Sequence, residues 1–452
     1  MQYSIIQKSQ LEGALRLDAE YYQPEYLNLI SGLKSQKSKP LRGFLKLLYR
    51  YPTFYNLQYY EKGILILKGE DITSEGFIQN QSQDFISVED SKKFPKTILK
   101  EGDLIFSVRG YVGKVGIVDK KYDGSIISAN LIKAELKDIS PYFVWVFLNS
   151  KYGITQINRV KMITAQETIL ADDIKSFLIP DINQNQQLEI ENLAKQAIAE
   201  IRESESLYLQ AEDLLLEELG LRDFEVGDNL WYIINLSDVK SAHRADAEYF
   251  QPKYEKLISK VKKQNAKLLG NLVPMKKGIE PGAGEYQNEG KLFIRVSSLS
   301  KNGIEDKDQK YLTEELYQKL KEDFEPNVGE ILLTKDATPG IAYVVKEPIE
   351  GIISSGILRL RLKNKEIENE YLALCFNSII GQAQAERDGG GSIITHWKPE
   401  QIKKVLIPIL PKPTQQKIAD LVQKSHEKRR KAKSFLNEAK TKVEKIIESK
   451  TP

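Results

Sequence analysis

The stretch RLDAEYYQPEY (Arg16–Tyr26) returns as RADAEYFQPKY (Arg244–Tyr254), with eight of eleven letters the same and an offset of 228 residues. In a chain of 452 residues that offset is half the length. A repeat of this period decides the architecture before any single motif does, because each copy has to fold as a unit. Sliding the chain against itself brings further stretches into register, always in the same order. YSIIQKS (Tyr3–Ser9) lies over WYIINLS (Trp231–Ser237), and EGDLIFSVRGYVGKVGIV (Glu101–Val118) over VGEILLTKDATPGIAYVV (Val328–Val345). IISANLIKAELK (Ile126–Lys137) lies over IISSGILRLRLK (Ile352–Lys363), and DDIKSFLIP (Asp172–Pro180) over EQIKKVLIP (Glu400–Pro408). QQLEIENLAKQA then meets the related apolar pattern TQQKIADLVQKS. The copies are too long for solenoid repeats and fit a domain with an appendage.

Within each copy the first part is rich in short β-branched runs closed by Gly and Asp, such as GILILKGEDI and GDLIFSV, which read as strands. Helical pieces flank them, among them one opened by Pro24 and one over Pro141–Ile157. Each head is therefore predicted to be α+β. The second part of each copy reads as one long helix. Ile190, Leu193, Ala197, Ile201, Ser204, Tyr208, Ala211 and Leu215 follow each other at steps of three and four. So do Ile418, Leu421, Ser425, Lys428, Ala432, Phe435, Ala439, Lys442 and Ile446. That is a coiled-coil seam, with Thr414 as N-cap and Gly220 as stop. Two such helices bury each other if they run antiparallel, which sets two heads about a pseudo-twofold axis. Each helix alone packed on its own head is the plainer alternative.

Composition narrows the function classes. The chain is 41% hydrophobic and 29% charged, neither disordered nor membranous. No apolar run approaches the roughly 20 residues that span a bilayer, and MQYSIIQKSQLEG lacks the features of a signal peptide. One cysteine, Cys375, excludes an intramolecular disulfide, and with three histidines soft metal ligands are scarce. A reducing cytoplasm is expected. The net charge of +3 divides unevenly, −5 over residues 1–227 and +8 over 228–452, part of it in KSHEKRRKAK. That run suits a solvated helix face as well as a phosphate contact.

With repeat, heads and rods in place, the chain resembles the specificity subunit of Type I restriction–modification systems. The likeness rests on GDLIFSVRGYVGKVGIVD…ISANLIKAEL and its partner GEILLTKDATPGIAYVV…ISSGILRLRL, the IKSFLIP and IKKVLIP endings, and the NQQLEIENLAKQA and TQQKIADLVQKS helix starts. It covers essentially the full length. It implies target-recognition domains at 1–183 and 222–411, each reading half of a split, asymmetric site in double-stranded DNA. The spacer helices are then 184–221 and 412–452. It further implies two copies of a methyltransferase subunit, which holds the S-adenosylmethionine, and a motor-nuclease subunit that joins in restriction. Two rivals stay open: the recognition subunit of a two-subunit Type II enzyme with a split site, and a coiled-coil scaffold whose heads bind protein.

Reading residues are sought where the heads differ. In the first head these are Arg50, Tyr55, Tyr59, Lys68, Arg109, Tyr111, Asn158, Arg159 and Lys161. In the second they are Lys276, Lys277, Arg295, Ser297, Lys335, Thr338, Arg387, Ser392 and His396. Such side chains have the donors and acceptors, or the flat faces, that base edges and phosphates require. Each also has the plain reading of a loop residue on the rim of the fold.

No catalytic constellation emerges. The Asn/Asp-Pro-Pro-aromatic motif of adenine methyltransferases is absent from the sequence, and GDLIFSVRGYVGKVG is not a dinucleotide-binding loop. Asp103 and Glu330 recur between copies and suit capping or turn roles, and Cys375 in LALCF reads as a buried small hydrophobe. The opening motif is nearly the same in both copies, so it is a poor reader of two different half-sites. Arg16, Asp18, Tyr21 and Pro24, with Arg244, Asp246, Tyr249 and Pro252, are expected to form a structural joint where the rod reaches each head. A docking surface for the methyltransferase is the rival reading.

Overall fold

The computed structural model describes residues 4–8, 11, 16–35, 37–50, 58–80, 83–162, 167–224, 231–305, 309–389 and 395–449. The chain divides into two compact units: residues 1–202 with 429–452, and residues 203–428. Each holds one head and a part of both long helices, Gln184–Glu218 and Lys412–Glu448.

In the first head, strands Leu45–Arg50, Leu131–Leu136, Leu104–Ser107 and Val115–Ile117 lie side by side in that order, all antiparallel. A three-stranded sheet places Ile64–Leu67 between Phe85–Ile86 and Ile126–Ile127, the latter parallel with Ile66 opposite Ile126. The predicted helix over Pro141–Ile157 is two helices, Pro141–Leu148 and Lys151–Val160. Between them the Asn149 amide donates back to the carbonyls of Trp145 and Val115, tying the break to the sheet.

The second head repeats this plan by itself. Its four-stranded sheet runs Met275–Lys277, Ile357–Leu360, Ile331–Thr334, Ala342–Val344. Its three-stranded sheet sets Lys291–Ile294 between Lys310–Leu312 and Gly351–Ile353, again parallel on the second side. Helices Asn369–Asn377 and Ile379–Asp388 take the place of the broken pair. In each core, large apolar side chains from the head helices meet the sheet, with Phe143, Trp145 and Phe147 in one and Tyr371 and Phe376 in the other, where Trp397 joins them from the segment after His396.

Several motifs shared by the copies are polar clamps. Gln156 donates to the Leu178 carbonyl (3.1 Å) and accepts from its N–H (2.7 Å), and Gln384 does the same with Leu406. These explain the IKSFLIP and IKKVLIP endings, whose short strands close back on each head. Gln187 accepts from the Ser140 N–H and donates to the Ile182 carbonyl, while Gln415 accepts from Glu368 and donates to Leu410. They fix the start of each long helix to a head.

Asp103 and Glu330 are more than turn residues. Lys133 is buried with its ammonium 3.0 Å from Asp103 and 2.8 Å from Glu135. Arg359 stands opposite Glu330 at 3.1 Å at the matching place. Burial, the largest influence on Asp103, pushes its carboxyl up, against the hydrogen bonds from the Lys100 N–H and from Lys133. A sequence pattern cannot distinguish a buried lysine in a strand from an exposed one.

The long helices pack together in each unit. In the first, Ile190, Ala194, Ala197 and Ile201 share a core with Ala432, Leu436, Ala439, Val443 and Ile447, and Lys442 pairs with Glu189. In the second, Ser425 meets Ser204 and Lys428 pairs with Glu203, so the pairing is antiparallel. The predicted seam of the first helix is buried apart from the partly buried Leu193, but that of the second is shifted. Its buried line is Val422, Ser425, Ala432, Leu436, Ala439, Val443, and the lysines 428 and 442 ride on the flank as ion-pair partners. Glycine 220 ends the first helix in a left-handed conformation (φ 62°), with the Leu221 N–H on the Leu216 carbonyl. The second helix begins at Lys412, ahead of the predicted Thr414 cap, with Pro413 in its first turn.

Candidate nucleic-acid interface

The rim of the first head forms where three pieces of chain converge. Strand Leu45–Arg50 ends at Arg50, which is exposed and opposite Ile132 in the sheet. The turn after Leu104–Ser107 presents Arg109, also exposed, with Gly110 in the left-handed region (φ 73°). The chain after helix Lys151–Val160 then comes back so that Thr168 bridges to Arg109. Partial burial, and then the Arg109 guanidinium, push Arg50 below its ordinary value, so the two cations repel. Among the described residues neither has an ion-pair partner. Two adjacent, unneutralised guanidiniums on a rim favour an anion or an acceptor edge. Tyr111, 41% exposed, continues the turn, and the Lys114 ammonium lies 4.9 Å from its ring.

The second head builds the same rim with other chemistry. Lys277 is exposed opposite Leu358, which matches Ile132, so Lys277 holds the place of Arg50. Asp336 holds the place of Arg109, and His396 that of Thr168, joined by the same isolated bridge. His396 Nδ1 lies 2.8 Å from one Asp336 oxygen and the Lys335 ammonium 2.5 Å from the other. Burial works to raise the Asp336 carboxyl, but these hydrogen bonds outweigh it and hold it below the ordinary range. Ala337 adopts φ 60° where the first head has Gly110. The predicted Thr338 is exposed on this turn, and Ser297 is exposed after strand Lys291–Ile294. Asp336 lies opposite Arg109 in the repeat, in a turn where the two copies differ in sequence.

Several other candidates are committed elsewhere. Arg159 is buried, donates to the Tyr21 carbonyl (3.1 Å) and stacks 3.9 Å from the Tyr21 ring, so it belongs to the opening motif and not to the rim. Arg387, its counterpart, pairs with Asp388 and lies 5.2 Å from the Tyr249 ring. Lys68 pairs with Asp84 and covers Tyr59, Lys276 pairs with Asp323, and Lys335 is buried against Asp336. The Arg295 N–H caps a short turn on Ser298. Asn158 is exposed, and Lys161 packs its stem beside Gly113. Tyr55 and Ser392 lie outside the described residues.

The opening motif is a clasp. Arg16 makes a two-pronged pair with Asp18 (2.8 and 2.5 Å), donates to the Val160 carbonyl, and lies 4.6 Å from the Tyr21 ring. Arg244 repeats this with Asp246, the carbonyls of Arg387 and Asp388, and Tyr249. Tyr21 and Tyr249 thus sit between two guanidiniums each, and Pro24 and Pro252 open the helices that follow. The sequence placed this joint at the arriving rod; the structure places it between the lead-in segment and the end of the head's own helix.

Matched against protein families, residues 35–203 and 262–433 fit the Type I restriction modification DNA specificity domain. The two matches fall on the two copies and cover more than half of the chain. The chain belongs to this family. Its function is sequence recognition of DNA as a specificity subunit of a Type I system. Solved structures with similar chains include the S subunit of a Type I restriction-modification system from M. genitalium. That match has 16% identity, 92% of this chain and 96% of that one covered, and a TM-score of 0.40. Another is the HsdS subunit from Thermoanaerobacter tengcongensis, at 16% identity, 92% and 96% coverage, and a TM-score of 0.29. No curated protein sequence matches the chain. Among the described residues no helix of this specificity subunit is long and apolar enough to cross a membrane.

Proposed function

We propose that the specificity subunit reads a bipartite, asymmetric site in double-stranded DNA, one half with each head, through recognition domains at 1–183 and 222–411. The observation that carries this reading is the pattern of likeness. The clamps that hold each head together are repeated, while the rim changes from Arg50, Arg109 and Thr168 to Lys277, Asp336 and His396. Two heads of one frame with unlike rims suit two unlike half-sites, since base edges are told apart by donors and acceptors. Helices 184–221 and 412–452 act as the spacer. At 1.5 Å per residue they reach about 50 Å, which against about 3.4 Å per base pair sets the centres of the two half-sites on the order of 10–15 base pairs apart.

The subunit is non-catalytic in this reading. Two methyltransferase subunits, carrying S-adenosylmethionine, act on the DNA it selects, joined by a motor-nuclease subunit for cleavage, all in the cytoplasm. The test is selection of bound duplexes from a randomised library by the methyltransferase complex. Enrichment of a two-part motif is expected, and a heptad inserted into both long helices should lengthen its gap. An undivided motif, or a gap that ignores the insertion, overturns the reading.

A further inference from the structure

The rim difference has a chemical direction, and the inference drawn from it rests on the two-headed reading above. We propose that Arg109–Thr168 and Asp336–His396 are one base-reading position used with opposite polarity. The first head takes a base that offers acceptors there, a guanine. The second takes a base that offers an exocyclic amino group, a cytosine or an adenine.

The frame is the same in both heads. The isolated bridge joins Arg109 to Thr168 and Asp336 to His396. The residue after each turn position is left-handed, Gly110 at φ 73° and Ala337 at φ 60°. An alanine is rarely held there, so the turn keeps its shape without the glycine, and the Ala337 N–H is secured on the Thr395 carbonyl at 3.0 Å. What changes is the side chains.

Arginine has five donors and no acceptor, and its fork matches guanine O6 and N7. Asp336 is the reverse. A carboxylate only accepts, so His396 must donate to it from Nδ1 across the 2.8 Å contact. In the neutral ring this leaves Nε2 as an acceptor. The second Asp336 oxygen is held by Lys335 at 2.5 Å, which fixes the carboxylate, while the His396 side chain is 60% exposed. A hydrogen bond from so exposed a ring adds little stability, but it aims an acceptor outward. Cytosine N4 and adenine N6 are the donors of the major groove.

The experiment is duplex selection using the full chain with its methyltransferase. Wild type is compared with Arg109→Gln and His396→Leu, whose folding is checked by thermal melting. Arg109→Gln should lose preference for one guanine in one half-site, roughly ten-fold or more, with the other half unchanged. His396→Leu, and Asp336→Asn as a second variant, should relax one cytosine or adenine in the other half, and the wild-type motif tells which. Weaker binding with every base preference intact would make these phosphate contacts and overturn the inference. A wild type without a two-part motif would instead remove the reading beneath it.

Discussion

The two heads share their inner polar contacts nearly one for one and differ at a rim of a few residues. Gln156 and Gln384, Gln187 and Gln415, Arg16 and Arg244 make the same bonds in each. The buried pairs Lys133–Asp103 and Arg359–Glu330 exchange lysine for arginine and aspartate for glutamate without losing the bridge. On the rim the exchange is of sign, Arg109 against Asp336. Groups in the interior are constrained by the cost of an unpaired buried charge, whereas exposed ones are free to follow the ligand.

The comparison breaks first, if it breaks, at the buried pairs. Lys133→Ala should leave Asp103 uncompensated and cost about 3–5 kcal/mol, and Arg359→Ala should do as much to the second unit, both read by urea unfolding. A small loss in either would mean that water or another cation replaces the partner. Next come the clasps. Arg16→Leu and Arg244→Leu each remove a charged hydrogen-bonded group and should cost about 1.5–3 kcal/mol, with duplex selection unaltered. A changed target sequence would move the opening motif from the frame to the reading surface.

At the rim the expected effect is on binding. Arg50→Gln should weaken DNA binding and lower its salt slope by about one, as for a lost phosphate contact, and Lys277→Gln should match it because the sheet register gives both the same place. Unequal slopes would sharpen the comparison, showing that the heads lie differently on the duplex. The smallest effect concerns how each head holds its helices. In the first unit Glu75 pairs with Lys433 at 2.7 Å; burial opposes its charge, but Lys433 draws its carboxyl down to about 2. The lowered value means this stabilisation is whole above the ordinary pKa of about 4.5 and is lost as the pH falls toward about 2. Glu75→Gln should cost about 0.5–1 kcal/mol at neutral pH and flatten that part of an acid unfolding curve. The second unit uses Lys301 over the Tyr208 ring, 4.6 Å away, and the same ammonium works to lower the Glu212 carboxyl, which burial raises.

Much of this was legible because a repeat reports the same fold twice. The order of matched stretches gave the heads, and steps of three and four gave the long helices. The rim was legible only in part. Arg50, Arg109, Lys277 and His396 stand out as polar residues where the copies disagree, but so does Lys276, and the matched arginines Arg159 and Arg387 border the same variable stretches. The guanidiniums of Arg159 and Arg387 turn inward onto tyrosines, and the Lys276 ammonium is held by Asp323. A spacing argument sees that an arginine is present and not which side of a helix it takes. The seam of the second long helix slipped for a related reason: lysine stems pack along a flank as readily as they fill a seam, and only the facing Glu203 and Glu189 settle the matter.

The sequence by itself determined two copies of one α+β head, a long helix following each, and a family whose work is choosing DNA. Those follow from periodicity and repetition, which are properties of the chain taken in order. The tertiary structure decided that Asp103 and Glu330 are buried counter-charges, that the opening motif clasps the head's own helix, and that Asp336–His396 replaces Arg109–Thr168. Each of these depends on residues that are distant in sequence being brought together, where burial and charge act between neighbours in space.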